Sequence, residues 1–160
     1  KRQEVVIPNK SFSEKVIFNL GGLEFHVLHL GPAHGPGDTQ VWLPQLSLMI
    51  AGDMAFHERM LPIFENTCTK CWLETWDKKF APLNATYVIP GHGHPTNMAQ
   101  VTKFTRNYLL DLRAKVSELL DNGGDLAEAF YVDQGRWRLL DTFEELAKRN
   151  AGRVFEEMEF

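Results

Sequence analysis

Cysteine is scarce in this 160-residue chain, which holds only Cys68 and Cys71. With no second pair, a lone C-x-x-C cannot complete a four-coordinate zinc site, though it could supply half of one or act as a redox pair. Cys68, Trp72, Trp76 and Phe80 also recur at helical i, i+4 spacing, with Cys71 beside the stripe. We therefore read both cysteines as buried helix residues behaving as small hydrophobes. Long apolar runs are missing too: none approaches the ~20 residues that span a bilayer, so no membrane partner is expected. Basic excess is lacking, with 17 Lys and Arg against 21 Asp and Glu, a net charge of −4 and a pI near 5.9. That balance argues against a phosphate footprint and a nucleic-acid partner. The chain shows no signal peptide and opens on Lys1-Arg2-Gln3-Glu4 without methionine, so it is expected to be a trimmed piece of a longer parent. No internal repeat or low-complexity tract interrupts it.

What is present is ordinary globular composition, 44% hydrophobic and 24% charged, at a length suited to one domain. Residues 4–8 form a short apolar run closed by Pro8, an edge strand or a linker. Residues 15–20 (K-V-I-F-N-L) and 23–30 (L-E-F-H-V-L-H-L) flank Gly21-Gly22 and read as a hairpin. In the second run Leu23, Phe25, Val27 and His29 share one face, and Glu24, His26, Leu28 and Leu30 the other. His26 and His29 thus diverge, and both read as structural. Residues 31–38 (G-P-A-H-G-P-G-D) are dense in turn formers around His34. Strands are expected over 40–43 and 46–51, broken at Pro44, the second ending before Gly52-Asp53.

The second half is mainly helical. Residues 54–64 read as irregular because Pro62 opposes a long helix. Asn66 is a candidate cap for a helix reaching about Phe80 and ended by Pro82. A strand over 86–89 follows, then a long helix capped by Thr96 or Asn97. Its apolar positions Met98, Val101, Phe104, Tyr108, Leu112, Val116 and Leu119 keep helical spacing, and Gly123-Gly124 ends it. Helices over 125–131 and 142–157 complete the order. Trp42, Trp72, Trp76 and Trp137 read as core.

The stretch Tyr87-Val88-Ile89-Pro90-Gly91-His92-Gly93-His94-Pro95 carries the strongest chemical signal. An apolar strand stops at Pro-Gly, and His92 stands beyond it between glycines that allow unusual backbone angles. His34 and Asp53 sit likewise after strands and beside glycine. Imidazole nitrogens and a carboxylate are ligands that zinc, iron and manganese share. A carboxylate can also bridge two metals that activate water. His34, Asp53 and His92 are therefore the candidate metal ligands.

G-P-A-H-G-P-G-D (31–38), A-G-D-M-A-F (51–56) and I-P-G-H-G-H-P (89–95) resemble the last three metal motifs of the metallo-β-lactamase superfamily, in that family's order. The resemblance implies an α/β (α+β) architecture: the C-terminal half of an αββα sandwich, one mixed β-sheet with flanking helices. It implies two divalent metal ions, zinc foremost, with iron or manganese as alternatives. His34 would complete a three-histidine site on the first metal, Asp53 would bridge both, and His92 would bind the second. His94 would be second shell or substrate-facing, and His57 would line the mouth. Asp38 and Thr39 read as turn geometry. An Asp at position 53 resembles glyoxalase II and its relatives more than the lactam-cleaving subclasses. The implied reaction is attack by metal-bound hydroxide on an ester, thioester, lactone or related bond of a small-molecule substrate.

One departure limits this. The family's first motif, H-x-H-x-D-H, is absent, because the only H-x-H is His92-Gly93-His94. The chain is therefore expected to be the C-terminal half of a longer bacterial hydrolase, inactive alone, with an incomplete or empty metal site. The loose likeness of its tail to exported hydrolases favours the periplasm over the cytoplasm for the parent. A sheet lacking its partner would expose an apolar face, so association with the missing half or self-association is expected. The alternative is a non-catalytic binding or assembly module that keeps the fold. A nuclease of the same superfamily fits poorly with the acidic balance.

Overall fold

A computed structural model describes residues 7–159. The apolar run at 4–8 lies mostly outside them; Ile7 and Pro8 are irregular. One five-stranded sheet runs in the order β1 (Lys15–Leu20), β2 (Leu23–Leu28), β3 (Gln40–Leu43), β4 (Leu48–Phe56), β5 (Tyr87–His92). The first four strands are antiparallel neighbours, and β5 lies parallel to β4. The mixed sheet with flanking helices is thus as expected. The β1–β2 hairpin turns at Gly21-Gly22, whose φ angles of 60° and 82° suit glycine.

Two strands run further than expected. β4 continues through Gly52 and Asp53 to Phe56, and β5 includes His92 as its last residue. Residues 54–56 are therefore strand, and the irregular stretch begins after them. Gly52 takes a positive φ of 54°, and the β4–β5 register shifts on both sides of it. It marks a bulge within the strand, where it had looked like a terminus. Pro90 is tolerated because β5 is an edge strand with one hydrogen-bonded neighbour.

The helices cover one face of the sheet. Aligned side chains Ile17, His26, Trp42, Met49 and Val88 form a row on that side, with Met49 and Val88 fully buried. The helix expected over 66–80 is α1 (Thr69–Thr75), capped by Cys68 and continued by a wide π-turn at Trp76–Phe80. Pro82 sits inside a further short turn, Ala81–Leu83, so the segment ends at Asn84. The long helix is α2 (Met98–Val101), a π-turn (Thr102–Arg106) and α3 (Asn107–Asp121), capped by the Asn97 side chain. Arg106 in one π-turn makes a two-pronged ion pair with Asp77 in the other, at 2.6 and 3.0 Å. The guanidinium holds the Asp77 carboxyl below its ordinary range. After the short α4 (Leu126–Ala129), α5 (Phe143–Glu159) packs on α3.

The cysteines overturn one expectation. Cys68 and Cys71 are disulfide-bonded and only half-buried, so they are not free core thiols. Cys68 caps α1 from outside the helix, and periodicity cannot register that two thiols three residues apart meet. Trp72, Trp76 and Trp137 are core, and Trp42 packs against it.

A buried polar network pins the helices together. Asn150 on α5 donates to Leu61 O (2.7 Å) and Tyr108 Oη (2.9 Å) and accepts from Ile63 N (2.9 Å). Tyr108 donates onward to Gln134 Oε1 at 3.0 Å, and burial pushes its phenol pKa up. Each group is satisfied, so the network is costly to break. Asn150→Leu is expected to lower stability by about 3 kcal/mol, since it strands three buried polar partners. A urea titration showing a shifted midpoint at unchanged slope checks this.

Among the described residues no helix covers the opposite face of the sheet. Val16, Val27, Val41, Ile50 and Ile89 align across all five strands, one aliphatic residue per strand. Val16, Ile50 and Ile89 are exposed, as are Phe18, Leu20 and Tyr87 on the same side.

Candidate metal half-site

The bulge at Gly52 re-aims the end of β4 so that Asp53 projects beside the end of β5. Space there is made by glycine. A Cβ on Gly91 would lie 2.1 Å from Asp53 Oδ1 and 2.7 Å from the Gly52 carbonyl carbon. The strand ends are also anchored from behind. Thr105, in the π-turn before α3, accepts from Phe56 N (2.8 Å) and donates to Phe56 O (3.1 Å). Trp72 Nε1 donates to Met54 O at 3.0 Å.

His34 arrives from the 31–38 loop. Gly35 N donates to Asp38 Oδ2 at 2.8 Å, which confirms Asp38 as a turn residue. Thr67 Oγ1 donates to His34 O at 2.7 Å and fixes the loop from the other side. Three aromatic rings then frame the imidazole: Phe56 at 5.8 Å, Phe64 at 5.1 Å and Trp72 at 5.8 Å. His92 stacks on the same Phe56 ring, with centroids 5.1 Å apart. Phe56 therefore spaces the two imidazoles, a role the sequence reading missed.

The three candidate residues come together. His34 Nε2 lies 3.9 Å from Asp53 Oδ2, and His92 Nε2 lies 3.6 Å from Asp53 Oδ1. Each imidazole faces a different oxygen of one carboxylate. Both gaps exceed hydrogen-bond length. They are nearer the separation of about 3.4 Å that two ligands of one tetrahedral zinc adopt. His34 Nδ1 is buried without a partner, so neither of its nitrogens is hydrogen-bonded. Side-chain exposures of 14% for His34, 36% for Asp53 and 37% for His92 grade the site from wall to mouth. Among the described residues no group of three or more His, Cys, Asp or Glu side chains is arranged to hold one ion. Asp53 shared between two histidines offers instead two donors at each of two positions. In residue type the two imidazoles and the carboxylate suit a divalent ion, while the Arg59 donor on His92 Nδ1 does not.

His94 and His57 are bonded to the chain around His92. The His94 ring is 86% exposed and donates to Glu58 Oε2 at 2.6 Å. That hydrogen bond holds the Glu58 carboxyl below its ordinary range. His57 Nδ1 donates to His94 O at 3.0 Å, and its ring rests on Phe104. Both histidines shape the loop after His92. His26 and His29 are structural, bonded to Glu24 Oε2 and Asp38 O.

Arg59 is the charged group that sequence reasoning overlooked. Its Nη1 donates to His92 Nδ1 at 3.2 Å, while its buried Nε has no partner. No local pattern marks it. Its position follows from a bridge to Asp141, the residue that leads into α5.

No protein-family model matches the sequence, and no curated protein matches it significantly. Solved structures do match. The sec-alkylsulfatase Pisa1 from Pseudomonas sp. superposes with a TM-score of 0.71 at 18% identity, covering 96% of this chain and 27% of that one. The metallo-β-lactamase from Pontibacter korlensis gives 0.54 at 21%, covering 59% and 46%. The metallo-β-lactamase IND-7 gives 0.56 at 23%, covering 66% and 49%. These likenesses show the fold alone, one that the chain shares with parts of an alkylsulfatase and of metallo-β-lactamases. The chain spans less than half the length of these three structures.

Proposed function

We propose that this chain is the C-terminal half of a metal-dependent hydrolase of the metallo-β-lactamase superfamily. The observation that carries the reading is the Asp53 carboxylate, with one oxygen toward His34 and the other toward His92. His34, Asp53 and His92 would hold two divalent ions, zinc foremost, together with ligands from the other half. Such ions, when bound, supply a water of lowered pKa and Lewis acidity toward an ester, thioester, lactone or related bond. The chain's own contribution is placement. Phe56 sets the spacing of the imidazoles, the Gly52 bulge aims Asp53, and the aromatic wall around His34 keeps that side of the site dry.

The test is metal analysis of the complete protein beside its hydrolysis of an ester, thioester, lactone and lactam panel. About two divalent ions per molecule with turnover of one class is the expected result. A metal-free, inactive complete protein would leave the non-catalytic module as the better reading. One contact favours that second reading. The Arg59 donor at His92 Nδ1 puts the ring proton on Nε2, the nitrogen facing Asp53. A metal ligand role needs that proton moved and Arg59 turned aside.

The bare sheet face supports the fragment reading. In the parent, the missing half covers the aliphatic row from Val16 to Ile89. Alone, the chain is expected to self-associate through it. Light scattering should show mass rising with concentration; a monomer at high concentration would count against this packing.

A further inference from the structure

The C-x-x-C pair has no part in the metal half-site, yet it sits one residue from a contact to it. Cys68 lines a cleft of about 550 Å³, together with Phe64, Glu65, Arg153, Glu156 and Glu157; Cys71 does not reach it. A volume of this size suits a small molecule. From Cys68 the chain runs back to His34 in two contacts. Thr67, the preceding residue, donates its hydroxyl to His34 O at 2.7 Å. Thr67 Oγ1 itself accepts from Phe64 N at 3.1 Å, and the Phe64 ring lies 5.1 Å from the His34 imidazole. Cys68 Sγ in turn accepts from Cys71 N at 3.1 Å. The disulfide thus closes a short tether whose other end is a candidate ligand loop.

We propose that Cys68–Cys71 is a thiol–disulfide exchange site, opened by a low-molecular-weight thiol that enters the cleft and attacks the Cys68 sulfur. The attacking thiolate bonds to Cys68 Sγ, the Cys68–Cys71 bond breaks, and Cys71 leaves as a thiolate that takes up the proton. A second thiol attacks the external sulfur of the mixed disulfide. It releases Cys68 as a thiol and carries both small-molecule sulfurs away as a disulfide. Two thiols are oxidised and the protein pair is reduced by two electrons. Glu156 pairs with Arg153 and Glu157 with Arg113, which leaves Glu65 as the cleft carboxylate without an ion pair among the described residues and favours a cationic thiol over an anionic one.

The experiment uses the folded chain and two probes, cysteamine and 3-mercaptopropionate, with thiols trapped by alkylation and counted by mass. Reduction under native conditions is expected, about fivefold faster with cysteamine at equal thiolate concentration. Reduction only after unfolding would make the bond structural and overturn the proposal. Equal rates would overturn the cleft as the point of entry. In wild type quenched early by alkylation, the small-molecule sulfur is expected on Cys68 and the alkyl label on Cys71. An adduct on Cys71 overturns the assignment. Reduction should also shift the His34 ring signals in NMR while leaving His29 unmoved. A His34 signal unchanged by reduction overturns the link to the ligand loop.

Discussion

If the complete protein is the proposed hydrolase, Asp53→Ala is expected to cut its kcat/KM by about three orders of magnitude, several kcal/mol of transition-state stabilisation. The size follows from the geometry. On the proposed reading one side chain serves both metal positions, so its loss would remove a donor from each at once. Stability should barely change by comparison. Asp53 makes no hydrogen bond within the described residues and is a third exposed, so little burial is lost. Asp53→Asn is the sharper variant: it keeps shape but offers an uncharged oxygen and a nitrogen where two carboxylate oxygens stood. It is expected to retain the fold and to lose metal from at least one position. The measurement pairs metal content with turnover of whichever ester, thioester or lactone the panel reveals. Full metal content with activity near wild type in either variant would remove Asp53 from the site and sink the hydrolase reading.

How much of this was legible beforehand differs between residues for physical reasons. His34, Asp53 and His92 could be singled out because each stands beside glycine at the end of an apolar run, and the structure does draw them together. Their placement in loops was wrong for two of the three. Gly52 looked like a stop, but a glycine at positive φ can also bend a strand and let it continue. Pro90-Gly91 looked like a stop as well, yet an edge strand needs no hydrogen bond on its outer side and absorbs proline. The hairpin and the helical core face were readable because they depend on local periodicity. Arg59, Phe56, Phe64 and Thr105 act on the site across long stretches of chain, and no local spacing encodes such contacts. The disulfide belongs to the same class, since a helical stripe reports burial and not bonding. The bare aliphatic row was inferred from a missing motif. The strand register now shows which residues compose it.

Gly93→Ala is the substitution expected to damage the chain most. A Cβ there would stand 1.9 Å from His57 O and 2.6 Å from its carbon, well inside contact distance, at a φ of 89° that a side chain resists. The obstacle is backbone, so no rotamer change relieves it. Nor can residue 57 simply withdraw. Its N–H donates to His92 O at 3.0 Å and its Nδ1 donates to His94 O at 3.0 Å, so it is bonded to the chain on both sides of the glycine. Moving it breaks the register where Phe56 pairs with His92. The expected cost is about 4 kcal/mol, at the upper end for a single substitution. Thermal unfolding should show a drop of about 12 °C at this chain length. The site should feel it even where the fold survives, because the strand end that carries His92 must shift relative to Asp53. Zinc titration of the folded fraction of the complete protein is then expected to show weakened binding. A Gly93→Ala chain of wild-type stability would mean that the turn after His92 is looser than described, and that His92 is not held toward Asp53 by the backbone around it.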